Sequence, residues 1–159
     1  MLAIKTKIWR NMYNVKLNYK YILCLLLITA CADDHADLRK AIKTLDALQP
    51  ATGSYVIIPN QGCEGCISTA EAFVKKHIDR QDNIRYIFTR IQSVKLLRIK
   101  LGSKVMSSSK ILLDTTNLIG YPDKKKHIYP MIVTIKDHEI DEVIYQSPDD
   151  AGLDVLIKE

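Results

Sequence analysis

Two cysteines separated by two residues, in Cys63-Glu64-Gly65-Cys66, are the side chains of this chain best suited to chemistry. They follow a short apolar run, Tyr55-Val56-Ile57-Ile58-Pro59, bounded by turn residues. They precede a stretch in which Ala70, Phe73, Val74 and Ile78 recur at helical steps. A thiol at the start of a helix faces unpaired backbone N–H groups and the positive end of the helix dipole. Its pKa falls, so more of it is nucleophilic thiolate near neutral pH. The spacing lets the second sulfur close a disulfide within the first turn. Two bland readings stand beside this one. A structural disulfide would close a tiny loop and constrain little of the unfolded chain. Two thiolates also suit a soft metal ion such as copper.

The elements that must position the pair begin after residue 30. A basic stretch ends at Lys20 and is followed by ten mostly apolar residues, Tyr21–Ala30. In a helix these span about 15 Å, roughly half the hydrocarbon thickness of a bilayer. The segment therefore reads as the apolar core of a secretory signal, with Met12 an alternative start. Ile28-Thr29-Ala30-Cys31 then resembles the lipobox of bacterial lipoproteins. That resemblance implies removal of residues 1–30 and lipidation of Cys31, anchoring the chain at the cell envelope without a transmembrane helix. Ala32-Asp33-Asp34 is similar to the surface-export signals of lipoproteins in Bacteroidetes, although other bacteria read an aspartate at this place as inner-membrane retention. The expectation is an envelope lipoprotein outside the cytoplasm, at the outer membrane in preference to the inner.

Charge supports this division. The chain carries a formal +5, but residues 1–30 hold five basic side chains and no acid. Residues 31–159 hold 18 basic and 18 acidic side chains, a formally neutral balance that argues against a nucleic-acid partner. Lys124-Lys125-Lys126 reads as a solvated loop. The expected organisation is a signal over 1–30, a tether with an N-terminal helix over 31–54, and one domain over 55–159.

Along the mature chain, Leu38, Ile42, Leu45 and Leu48 mark a helix within Asp34–Gln49, capped by Asp34 or Asp37. The run at Tyr55–Pro59 reads as a buried strand, and Asn83–Thr89 as a second. Ile91–Leu101 favours a helix, Gly102–Ser109 a loop, and Lys110–Asp114 a third strand. Tyr129–Ile135 and Glu139–Tyr145 form an antiparallel hairpin across Lys136-Asp137-His138. Ser147-Pro148-Asp149-Asp150 starts a last helix docked by Leu153, Val155 and Leu156.

This order of elements resembles the thioredoxin-like superfamily over roughly Tyr55–Lys158: an α/β fold with a central mixed sheet of four to five strands flanked by helices, here with an extra N-terminal helix. The Cys pair stands where that family carries its redox motif. Tyr129-Pro130 opens a strand where the family carries its cis-proline loop. The resemblance implies thiol–disulfide exchange with exported proteins through a mixed disulfide. Cys63 would be the exposed attacking thiol and Cys66 the buried resolving thiol. A cis Pro130 would let the turn at Tyr129 bring backbone groups beside the sulfurs to receive an extended substrate. No cofactor is implied, and a reducing role would require a membrane electron donor. The chain departs from the family at Gly62, where an aromatic residue is common, and in the dipeptide Glu64-Gly65, whose carboxylate partly offsets the dipole. The span from Cys63 to Pro130 implies an insertion around residues 102–127.

Gly62-Cys63-Glu64-Gly65-Cys66 after a strand is also similar to heavy-metal-associated domains, although Gln61 stands where these usually carry methionine. A third reading is a non-enzymatic accessory or binding lipoprotein. Among other candidates, Asp114 is expected as a buried acid near Cys66, and His127 reads as an exposed loop histidine in preference to a group that approaches the thiols. His77 would complement the helix dipole, and His35 and His138 carry no signal.

Overall fold

The computed structural model describes residues 35–157. The expected signal over residues 1–30, and Cys31, Asp33 and Asp34, lie outside the described residues. Helix α1 (Ala36–Leu45) is followed by strand β1 (Gly53–Pro59), α2 (Glu64–His77), β2 (Ile84–Thr89), α3 (Val94–Leu101) and α4 (Ser103–Met106). Strands β3 (Ile111–Leu113), β4 (Met131–Lys136) and β5 (Glu139–Tyr145) and a 3₁₀ helix (Gly152–Ile157) complete the chain. The strands form one mixed sheet in the order β3-β2-β1-β4-β5. β1 is parallel to β2, and β2 to β3, while β4 runs antiparallel to both β1 and β5. The protein is thus α/β, with a five-stranded mixed sheet flanked by helices.

The continuous apolar run of β1 reflects burial on both faces. Val56 and Ile58 join Ile67, Ala70 and Val74 of α2, Leu97 and Leu101 of α3, and Leu153 and Leu156 in one core. Tyr55 and Ile57, pointing the other way, pack with Leu38, Ala41 and Ile42 of α1 and with Met131, Val133 and Ile135 of β4. β1 is therefore central, and its C-terminal end delivers the chain to Cys63.

The β4–β5 connection turns at Asp137 and His138, both with positive φ (52° and 67°), as a tight two-residue hairpin turn requires. Three sequence expectations shift. The segment read as a loop after Gly102 contains one helical turn, α4, because Val105 is buried in the core with Met106 packed against it. Ser147 does bond the amide of Asp150 at 3.0 Å, but the final helix begins only at Gly152 and is 3₁₀. Its three-residue repeat buries Leu153 and Leu156 together and leaves Val155 43% exposed. At the other end, His35 occupies the N-cap of α1 without a capping side-chain bond, Asp37 lies in the first turn, and Leu48 is exposed beyond the helix.

Buried tyrosines give the fold a defined alkaline limit. Tyr86 is fully buried, its hydroxyl has no partner, and its pKa is pushed up to about 12, mainly by burial. Burial also raises Tyr55, Tyr121 and Tyr145. The unfolded chain therefore loses these protons first. The stabilisation is complete below the ordinary tyrosine pKa of 10.0 and disappears as pH climbs toward 12. Tyr86→Phe removes a buried donor that bonds nothing and is expected to stabilise the fold by about 1 kcal/mol. Urea titrations at pH 8 and pH 11 check both statements: the variant's advantage should grow at the higher pH.

Candidate functional site

The loop after β1 is pinned before it reaches the cysteines. The amide of Asn60 donates to the carbonyl of Thr89 at 2.9 Å, tying the ends of β1 and β2 together. Gly62 follows with φ +148°, and any Cβ there would overlap the backbone of Ile128. The amide of Cys63 donates to the carbonyl of Ile128 at 2.9 Å. The chain thus enters α2 pressed against the segment that leads into β4, an approach that needs glycine at position 62. Gly62→Ala should cost about 2 kcal/mol of stability and slow exchange with a small dithiol, because the clash pushes Cys63 off Ile128. Denaturant unfolding and stopped-flow reduction measure the two effects.

Cys63 is the N-cap of α2. Its Sγ accepts from the amide of Cys66 at 3.4 Å, so the first sulfur directly meets one of the helix's unpaired donors. Cys63 and Cys66 form a disulfide across a Cα–Cα distance of 5.3 Å. Cys63 is partly exposed and Cys66 is buried, 7% accessible, beside Ile67 in the core of α2. Glu64 and Gly65 between them are exposed, and a side chain at Gly65 would meet nothing within 4 Å. Glu64 in the first turn, and Lys75, Lys76 and His77 in the last, complement the dipole of α2. His77 also packs on Phe73 with ring centroids 4.4 Å apart, and burial depresses its pKa, aided by Arg80 and Lys76. Set against family models, curated proteins and solved structures, the chain matches none.

The expected partners of the thiols are only partly brought together. No peptide bond among the described residues is cis, so Pro130 is trans and the cis form that the family resemblance left open at Tyr129-Pro130 is absent. Pro130 is buried and its carbonyl accepts from Gln146 at 2.9 Å. Tyr129 is half-buried, and its carbonyl accepts from the hydroxyl of Tyr121 at 3.1 Å. The residue that meets Cys63 is Ile128, one position earlier. His127 is exposed, its Nδ1 bonded to the carbonyl of Lys124 and its own carbonyl bonded by Arg90 at 3.1 Å. Asp114 is fully buried, but its carboxylate accepts from Thr89 Oγ1 at 2.8 Å and from the amides of Leu118 and Ile119 at 2.8 and 3.0 Å. It organises the chain after β3. Arg90 and Lys126 lie over Tyr121 and Tyr145, centroid distances 5.4 and 4.9 Å, and fasten the same loop. Ile128, Arg90 and the close packing of Gly62 on Ile128 escaped the sequence reading. The isolated glycine before the motif was the one available signal.

Proposed function

We propose that this chain is a lipid-anchored, thioredoxin-like envelope protein that exchanges disulfides with exported proteins through Cys63 and Cys66. One observation carries the chemistry. A partly exposed sulfur caps a helix and accepts a backbone N–H, and it is bonded to a buried second sulfur. The element order around the pair, with an adjacent antiparallel hairpin, supports the thioredoxin-like reading. The trans proline departs from it, but the segment before that proline is bonded to Cys63. Among the described residues no helix is long and apolar enough to cross a membrane, and the anchor proposed is the lipid on Cys31.

The exchange balances without a cofactor. A substrate thiolate attacks Sγ of Cys63, the Cys63–Cys66 bond breaks, and Cys66 leaves as thiolate and takes up a proton. A second substrate thiolate then attacks the substrate sulfur of the mixed disulfide and releases Cys63 as a thiolate. The substrate is oxidised by two electrons and the chain is reduced by two. The same steps in reverse reduce a substrate disulfide, and then a membrane electron donor must restore the dithiol. The amide of Cys66, already aimed at Cys63, stabilises the thiolate on either path.

Expressed with Cys66→Ser, the chain should accumulate in mixed disulfides with exported proteins, recovered from the membrane fraction under non-reducing conditions. Loss of that membrane association in Cys31→Ser tests the anchor separately. If a Cys63→Ser chain fully restores a deletion strain, the function lies in a binding surface and the redox reading is wrong.

A further inference from the structure

We propose that the groove between α1 and the β4–β5 turn binds a phosphate-bearing group. The groove encloses about 590 Å³, a volume suited to a small-molecule headgroup. Arg39, Lys40 and Lys43 of α1 line it, with Gln49, His138 and Glu139. Glu139 is already ion-paired with Arg39. Lys40 and Lys43 are exposed, three residues apart on one helical face, and among the described residues no ion pair engages their ammonium groups. The side-chain nitrogen of Gln49 is buried without a hydrogen-bond partner. A donor in that state calls for an acceptor. The lining thus offers two ammonium groups, an imidazole and an amide donor, beside an Arg39–Glu139 pair already engaged with itself. Of the acids close to the lining in sequence, Asp37 and Asp137 are exposed and the buried Asp46 is engaged by Tyr55 and Arg85; none of the three lines the groove. An oxyanion with acceptors on several sides satisfies this set, and phosphate does so with two negative charges.

The phosphate can come from a lipid headgroup or from a free phosphate compound. Cys31 precedes Ala36 by five residues, about 18 Å at full extension. On the anchored reading the groove is therefore held within reach of the headgroup layer. Only the lipid source rests on that reading; the anion site and the thiol chemistry are independent of each other.

The test uses the ¹⁵N-labelled full chain in uncharged detergent micelles. It is titrated with inorganic phosphate and, separately, with phosphatidic acid added to the micelles, with chloride at matched ionic strength as the control. Saturable shifts are expected for the Gln49 side-chain amide and the Lys43 and His138 backbone amides. Lys40→Glu combined with Lys43→Glu should weaken binding about tenfold or more while leaving the core resonances in place. The tighter of the two ligands names the source. Shifts reproduced by chloride, or binding that survives the double substitution, would overturn the proposal. Either result with disulfide exchange intact leaves the redox reading standing.

Discussion

Cys63→Ser brings exchange with a substrate disulfide down to the background rate of that substrate alone, whereas Cys66→Ser reacts once and stalls as a mixed disulfide. The asymmetry follows from position. Cys63 is the sulfur that solvent reaches, and it caps the helix. A serine there retains the capping bond but supplies no nucleophile that can form a disulfide. Cys66 is buried within α2, so its main route to an external substrate is through Cys63. The fold should survive both changes, because a loop this small contributes little through chain entropy. Mass spectrometry of acid-quenched samples, with the reduced chains and a disulfide-linked peptide dimer as substrate, distinguishes the two variants, because Cys63 of the Cys66→Ser chain displaces one peptide thiol and holds the other peptide in a mixed disulfide. Equal activity in both would remove the assigned order of attack.

The second large effect is on stability. Asp114→Ala should destabilise the protein by about 3–5 kcal/mol, seen as a lower urea midpoint at unchanged slope. The substitution strands the Thr89 hydroxyl and two amides, those of Leu118 and Ile119, around a fully buried site. Asp114→Asn keeps acceptor capacity on one oxygen only and should fall between the two. Because this carboxylate fixes the start of the connection that later seats Cys63, per-molecule exchange in the alanine variant should decline as well. A loss of exchange with no loss of stability would assign Asp114 to the thiols instead.

Much of the sheet was legible because its strands carry strong local signals. Tyr55–Pro59 is apolar without interruption since both its faces are covered. The hairpin announces itself by a proline, a polar turn and alternation. The final helix was misread because Leu153, Val155 and Leu156 are equally apolar. Only the 3₁₀ repeat, fixed by the close seat of Gly152 on the carbonyl of Tyr145, decides which of them turns inward. At the site, the motif and its place on a helix were readable from spacing alone. The contact between Cys63 and Ile128 was not, since it joins residues 65 positions apart through backbone atoms that every residue type possesses. Asp114 was recognised as a buried acid, but burial alone does not reveal which donors a carboxylate faces.

The most direct test of the redox account is the dithiol–disulfide equilibrium of the Cys63–Cys66 pair in the full chain. It is titrated in glutathione buffers of known potential and read by alkylation and mass spectrometry. A helix-capping, solvent-reachable sulfur predicts a reversible two-electron transition within the range of exchange proteins, about −120 to −270 mV. A pair that stays oxidised below about −300 mV would be a structural disulfide, and would contradict the account.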